Sequence, residues 1–188
     1  MLFRSPQPTG EVRIEGQTAE HYAPTRMVTE AERFIAEHRK DRFFLYLAFI
    51  EPHVAMHPPK ASVDRFPAAW DDEPYRGQNG YLPHPRPRAA YAAMISDLDD
   101  HVGRVMQALE SAGLSDRTLV VFSSDNGTTH PAGKNPRFGT GGVDSAFFNS
   151  TAGLRGFKGS VYEGGLRVPL IVRLPGRVPA GSVNDRPS

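Results

Sequence analysis

The sequence predicts an α/β fold built around a mainly parallel sheet, and three observations lead to this prediction. Residues 43–50 and 118–123 are apolar runs of strand length, which are typical of strands buried on both faces of a parallel sheet. An amphipathic helix is predicted between them, over residues 88–112. A strand, a helical connection and a second strand form a βαβ unit, whose strands pair in parallel through a right-handed crossover.

The remaining elements follow from the same kind of pattern. Apolar residues at helical spacing predict a first helix over residues 28–39. Residues 51–88 contain many prolines and little periodicity, which predicts a long, shaped loop. The aromatic residues of this loop favour an ordered conformation. A further strand is predicted at residues 168–172.

The predicted helix over residues 88–112 has one apolar stripe, and Gly113 provides its stop. The stripe consists of Tyr91, Met94, Ile95, Leu98, Val102, Val105 and Leu109. Four polar residues fall mainly off the stripe, namely Asp97, Asp99, Asp100 and His101. Their positions predict a solvated acidic face rather than a metal-binding cluster.

The composition excludes several classes of protein. The chain of 188 residues is long enough for one domain with a core. Its net charge of +1 gives no electrostatic argument for a nucleic acid or an anionic membrane as partner. No apolar run approaches the ~20 residues that span a bilayer. Cysteine is absent, which excludes disulfides, thiolate zinc sites and a cysteine nucleophile within these residues.

Polar side chains follow directly after two of the predicted strands. Asp125 and Asn126 come after the second strand, and His53 comes after the first. Ligands of open α/β sheets bind at the carboxyl ends of the strands, and carboxylate and amide oxygens suit Ca²⁺ or Mg²⁺. Lys158 lies between small residues, where a ligand can approach the backbone closely. On this segment alone, Asp-Asn-Gly is more typical of a simple turn.

Three segments taken together resemble the sulfatase family, within the alkaline phosphatase-like superfamily. They are the strand leading to Pro52-His53, the turn Ser124-Asp125-Asn126-Gly127, and the block Lys158-Gly159-Ser160-Val161-Tyr162-Glu163-Gly164-Gly165 with Arg167-Val168-Pro169 after it. The loop that begins at Pro52 is most similar to that of bacterial arylsulfatases. The resemblance implies a three-layer α/β/α fold with a mainly parallel sheet, incomplete at both ends. Residues 1–188 would form a partial catalytic domain, best matched over about 22–177.

The resemblance implies a role for four residues. Asp125 and Asn126 match two ligands of the family's divalent cation, usually Ca²⁺, with Mg²⁺ as an alternative. Lys158 matches the lysine that binds the sulfate group and the bridging oxygen. His53 matches the histidine that contacts the sulfate ester and assists departure of the alcohol or phenol. The implied activity is hydrolysis of a sulfate ester, either a small molecule or a carbohydrate.

Other interpretations remain open. A phosphodiesterase or phosphonate hydrolase of the same superfamily uses a similar metal-centred site, and a non-catalytic binding protein could keep the pocket without the nucleophile. Lys158 could be an ordinary surface lysine, and His53 could only hold a turn. His57 lies four residues after His53, but the prolines that follow argue against a helical metal pair. We expect His57 to shape the loop or face the substrate, and we assign His130 no role.

The family's nucleophile is not among these residues. Sulfatases use a formylglycine made from a Cys or Ser in a Cys/Ser-x-Pro-x-Arg motif, and neither form occurs in the sequence. The acidic pair that completes the family's metal shell is missing as well. We expect the formylglycine to lie upstream. The isolated chain should therefore bind calcium weakly and show no sulfatase turnover. It should also be marginally stable, because a parallel sheet without its N-terminal strands has an exposed edge.

The resemblance also implies a cellular location and a partner for the parent protein. The parent protein is expected to be periplasmic or secreted, although the first residues of this chain show no signal peptide. The expected partner is a sulfate ester, with no nucleic acid and no membrane span. The sequence predicts neither the specific ester nor the oligomeric state.

Overall fold

The computed structural model describes residues 22–131 and 138–184. The helices, in chain order, are α1 (Ala23–Glu37), α2 (Lys60–Val63), a 3-10 helix (Ala68–Trp70), α3 (Pro87–Ser111), a second 3-10 turn (Thr140–Gly142) and α4 (Glu163–Leu166). The strands are β1 (Val120–Ser123) and β2 (Leu170–Arg173). The positions of both long helices and of both strands confirm the sequence pattern, but β1 is not buried on both faces as predicted, since Val121 is 56% exposed. The start of the chain, on which the expectation about a signal peptide depends, lies outside the described residues.

Two apolar clusters hold α3 in place, and their burial is the main source of stability. The first cluster lies beneath the N-terminal half of α3 and consists of Val54, Met56, Val63, Ala89, Ala90, Tyr91, Ala93, Met94 and Val143. The second joins its C-terminal end to α1 and consists of Ile35, Leu109 and Leu114, with Phe43, Leu45 and Val120 packed against it. An ion pair of 2.7 Å between Arg104 and Glu32 also joins the two long helices.

The sheet within the described residues has two strands, and they run antiparallel. Val120 pairs with Arg173 at one end of the ladder, and Ser123 pairs with Leu170 at the other. The expected parallel partner of β1 was the segment at residues 43–50, which joins no ladder in the described part of the chain. The three-layer arrangement with a mainly parallel sheet therefore stays a prediction.

Residues 43–50 differ from the doubly buried strand that their apolar run predicts. Phe43 and Leu45 contact the second cluster, whereas Phe44 and Tyr46 are 87% and 80% exposed. The segment is thus covered on one face only by the described residues. An apolar run indicates that its side chains favour burial. Whether both faces of the segment are buried depends on which other elements pack against them.

The acidic face predicted for α3 is wrong for Asp97 and His101, which are 8% and 6% exposed. Asp97 lies 2.8 Å from Nη2 of Arg65, and Nδ1 of His101 lies 3.0 Å from Oε1 of Glu51. Both partners belong to the loop ahead of α3. Polar groups can be buried once they are paired, and a helical hydrophobic pattern contains no information about such partners.

The proline-rich loop ahead of α3 is ordered, as predicted. Its Phe66 and Trp70 rings pack with centroids 5.5 Å apart. The Asp71 carboxylate accepts hydrogen bonds from the backbone N–H groups of Arg88 and Ala89 at 2.7 and 3.2 Å, so the loop caps the start of α3. Across the two described ranges, no helix combines the length and apolar character that a membrane crossing requires.

Candidate active site

The turn after β1 presents Asp125 and Asn126. The Ser124 hydroxyl donates a hydrogen bond to the Asn126 carbonyl at 3.0 Å, which closes the turn. The Asn126 side chain donates from Nδ2 to the Gly127 carbonyl at 3.2 Å, so its amide oxygen is the atom left for a ligand. The Asp125 carboxylate is exposed beside it.

The lysine block is joined to this turn through the backbone. The N–H of Gly127 donates to the Gly165 carbonyl at 3.0 Å, and the N–H of Lys158 donates to the Thr128 carbonyl at 2.8 Å. The backbone of Lys158 is thereby held against Thr128, which follows Asn126 by two residues, although the two segments are about 30 residues apart in the sequence. The structure brings together three of the four predicted site residues: Asp125, Asn126 and Lys158.

This contact depends on the small size of its glycines. A Cβ atom on Gly127 would lie 2.0 Å from the Gly164 carbonyl oxygen, and a Cβ atom on Gly164 would lie 2.1 Å from the Gly156 carbonyl oxygen. Three backbone segments are therefore stacked at distances that no other residue type permits. The glycines of the sequence motif are explained by this packing.

Lys158 itself lies at the corner of a turn. The N–H of Ser160 donates to the Phe157 carbonyl at 2.9 Å, and Gly159 has φ of +87°, the pattern of a type II turn. Ser160 also accepts, through its hydroxyl, a hydrogen bond from the Phe157 N–H at 3.2 Å. The exposed Lys158 side chain therefore projects from a well-braced corner.

His53 is held at the end of the segment at residues 43–50 by its own turn. Its backbone N–H donates to the Ile50 carbonyl at 2.9 Å, and its Nδ1 lies 2.7 Å from the Val54 carbonyl. A carbonyl can only accept, so Nδ1 carries the proton and Nε2 is left for a ligand. No described contact joins His53 directly to Asp125 or Lys158.

Comparison with known proteins identifies the origin of this arrangement. The sequence model of the sulfatase family matches residues 4–188. This chain belongs to the sulfatase family. It is similar to a sulfatase of Formosa agariphila, with 35% identity over 150 residues, covering 76% of this chain and 22% of that protein. It is also similar to mouse steryl-sulfatase, with 32% identity over 163 residues, covering 87% of this chain and 22% of that protein.

A third relative is the N-acetylgalactosamine-6-O-sulfatase of Bacteroides thetaiotaomicron, which is 32% identical over 81% of this chain and 25% of that protein. Among solved structures, Ps i-CgsB in complex with k-i-k-neocarrahexaose matches with a TM-score of 0.65 and 30% identity. That match covers 85% of this chain and 30% of the solved one. The chain thus spans about a quarter of the length of its sulfatase relatives.

The donor atoms of the Asp-Asn turn fit the cation that the sulfatase family implies. One carboxylate and one amide oxygen are hard ligands of the type that Ca²⁺ and Mg²⁺ prefer, but Ca²⁺ usually takes about six to eight oxygens. Within the described residues, no group of three or more His, Cys, Asp or Glu side chains converges on a common point. Asp125 and Asn126 therefore supply the right kind of ligand but only part of a complete shell.

The other two histidines of the sequence analysis occupy different settings. The His57 and His84 rings pack with centroids 5.8 Å apart. Burial lowers the pKa of His57, and burial together with His57 lowers the pKa of His84 to about 4. This neutral pair fits the loop-shaping role. His130 packs against Phe157 with ring centroids 5.1 Å apart, which places it beside the lysine block.

A buried pair that the sequence does not reveal joins Glu51, two residues before His53, to His101 of α3. The Glu51 side chain is fully buried, and the His101 side chain is 7% exposed. Burial raises the pKa of Glu51 to about 7, with Asp97 as a further cause, and burial lowers the pKa of His101. The sequence contains only a weak signal of this pair, since His101 and Asp97 lie one helical turn apart in α3 and their positions off the apolar stripe predict contact with solvent.

The Glu51 pair gives a prediction about pH. Folding raises the pKa of Glu51 from 4.5 to about 7, so the folded state binds the Glu51 proton more tightly than the unfolded state does. The stability that this proton contributes is complete below pH 4.5 and is lost as the pH rises through about 7. Glu51→Gln should therefore gain stability over the native chain between pH 5 and 8, by of order 2 kcal/mol. Urea unfolding at both pH values measures this difference.

Glu110→Gln, an exposed substitution on α3, is the control for the loss of a carboxylate. A stability difference between Glu51→Gln and the native chain that stays constant across this pH range would contradict the prediction, as would a difference that decreases with pH.

Proposed function

We propose that this chain supplies the cation-binding pair and the leaving-group side of a sulfatase active site. The observation that carries the proposal is the backbone connection between the two motifs, Gly127 to Gly165 and Lys158 to Thr128. These bonds join the backbone of an exposed lysine to the turn that carries two candidate oxygen ligands. A cation and an ammonium group on neighbouring turns suit an anionic oxyester.

The chemistry divides among the four residues. A divalent cation held by Asp125 and Asn126 would polarise the sulfate oxygens. Lys158 binds the sulfate group and stabilises negative charge on the leaving oxygen. His53, oriented by the bond from Nδ1 to the Val54 carbonyl, offers Nε2 to protonate the departing alkoxide or phenolate.

Relatives suggest the kind of ester. The names N-acetylgalactosamine-6-O-sulfatase and steryl-sulfatase belong to proteins that this chain matches over most of its length, and a matching structure is a complex with neocarrahexaose. We propose that the parent protein of this chain hydrolyses sulfate esters of a carbohydrate or a ring-bearing alcohol. We also propose a periplasmic or secreted location for the parent protein, as the family resemblance implies.

Binding of nitrophenyl sulfate to the chain, measured by NMR in the presence of calcium, tests the proposal. Lys158→Ala should weaken binding about tenfold, because it removes one charge-assisted contact. Lys40→Ala, at an exposed lysine after α1, is the matched control and should leave binding unchanged.

The other interpretations predict different results. Equal binding by Lys158→Ala would contradict the proposed site. Tighter binding of bis-nitrophenyl phosphate than of the sulfate would favour a phosphodiesterase. Turnover by the chain alone is not expected, since it contains neither cysteine nor a Ser-x-Pro-x-Arg motif, and clear hydrolysis would overturn that expectation.

A further inference from the structure

Tyr81 is an exposed aromatic residue placed beside His53. The two ring centroids are 6.1 Å apart, and the ring planes meet at 73°. Tyr81 is 52% exposed, so its ring has a free surface next to the histidine. Tyr81 belongs to neither of the apolar clusters that stabilise the fold.

The loop that carries Tyr81 is held firmly. The buried Tyr75 phenol accepts a hydrogen bond from the Asn79 N–H at 3.0 Å and donates one to the Gly80 carbonyl. The Asn79 side chain donates to the Phe138 carbonyl at 2.6 Å, which ties the loop to a segment between the Asp-Asn turn and the lysine block. The position of Tyr81 is therefore determined by a buried network and not by its own side chain.

The backbone of Tyr81 is strained. Its φ is +64°, a conformation that is uncommon for non-glycine residues and an outlier for bulky ones. Gly80, directly before it, has the same sign of φ but no side chain to oppose it. A glycine at position 81 would relieve the strain, and an exposed ring recovers little of that energy by packing. Such strain is often found at ligand-binding positions.

We propose that Tyr81 binds the ring of the alcohol moiety and gives the site its preference for sulfate esters of ring-bearing alcohols. This inference rests on the proposed function, because it requires His53 to lie on the leaving-group side. A ring attached to the departing oxygen would extend over the exposed face of Tyr81. Aromatic faces bind both aryl rings and the C–H faces of sugars. Titration with an aryl sulfate and with a sugar sulfate distinguishes the two kinds of ring.

Tyr81→Gly is the sharp test, because it removes the ring and relieves the backbone strain together. The native chain and the variant are titrated, with calcium, against nitrophenyl sulfate, galactose sulfate, methyl sulfate and inorganic sulfate. The ring-proton signals of His53, assigned with His53→Asn, report binding. The native chain should bind at least one ring-bearing ester about fivefold more tightly than methyl sulfate, the size of one aromatic contact.

Tyr81→Gly should lose this preference while binding methyl sulfate normally and unfolding at the same or a higher urea concentration. Tyr81→Phe should retain the preference, and Tyr46→Ala, at another exposed tyrosine, should not alter it. A preference for the aryl ester alone or the sugar ester alone supports the inference and identifies the ring.

Two results would overturn the inference and leave the proposed function standing. The first is a preference for ring-bearing esters that is retained in Tyr81→Gly. The second is binding that depends on Lys158 but is equally tight for methyl sulfate and for the ring-bearing esters. If no sulfate binds to the native chain, the proposed function fails and this inference fails with it.

Discussion

Replacing Gly127 with alanine is expected to separate the Asp-Asn turn from the lysine block and to destabilise the chain by roughly 3 kcal/mol or more, the upper end of overpacking effects. The added Cβ would lie 2.0 Å from the Gly164 carbonyl oxygen and 2.9 Å from its carbon. That carbonyl cannot move aside freely, because the N–H of Gly164 is bound to the Arg155 carbonyl at 2.7 Å. Backbone therefore meets backbone, and no rotamer change relieves the contact.

Urea unfolding measures the stability of Gly127→Ala, and nitrophenyl sulfate binding measures its effect on the site. Gly103→Ala is the matched control: Gly103 lies in the middle of α3, and a Cβ there would meet nothing within 4 Å. Because alanine favours a helix over glycine, the control should gain about 1 kcal/mol. If Gly127→Ala unfolds at the same urea concentration as the native chain, the account of the glycine packing is wrong.

The sequence predicted the elements whose signal is local. The stripe of α3 follows a helical period, and α3 ends before Gly113 as predicted. The site residues were placed through a resemblance, and the backbone bonds around Gly127 and Lys158 show why those motifs occur together. A close backbone contact between two glycines from distant segments cannot be inferred from the residues alone, because glycine is also common in ordinary turns.

The failures share one physical cause, which is a partner distant in sequence. Asp97 and His101 lie off the apolar stripe, which predicts contact with solvent, yet Arg65 and Glu51 pair with them from another segment and are compatible with their burial. The apolar run at residues 43–50 predicts burial of both faces, but the described residues cover only one face of this segment. Tyr81 is one of the aromatic residues that predict an ordered loop, but neither its strained φ nor its neighbour His53 follows from the local sequence.

Arg88→Ala is expected to destabilise the chain by about 3–5 kcal/mol, the size typical of a broken buried ion pair. Arg88 Nη2 lies 2.8 Å from the Asp144 carboxylate, and the two side chains are 17% and 3% exposed. Its Nε donates to the same oxygen at 2.9 Å, its Nη1 donates to the Trp70 carbonyl at 2.7 Å, and its guanidinium lies 4.2 Å from the centroid of the Phe147 ring. Removal takes away both guanidinium contacts to a buried carboxylate, the contact to the Trp70 carbonyl and the contact with the Phe147 ring.

Urea unfolding of three further variants separates the causes. Arg88→Lys keeps the charge but loses the forked geometry, so it should recover only part of the stability. The double variant Arg88→Ala with Asp144→Asn removes both charges and should be more stable than Arg88→Ala alone. Arg33→Ala breaks ion pairs on exposed side chains of α1 and should have little effect, since exposed pairs contribute little.

The effect of Arg88→Ala should extend to the candidate site. Asp144 follows Val143, which packs in the same cluster as Val54, and the Val54 carbonyl orients the His53 ring. Loosening the segment around Asp144 should therefore broaden or shift the His53 ring signals even under conditions in which the variant remains folded. Native His53 signals in a destabilised Arg88→Ala chain would show that the two are independent, and that the turn at His53 is held by its own hydrogen bonds.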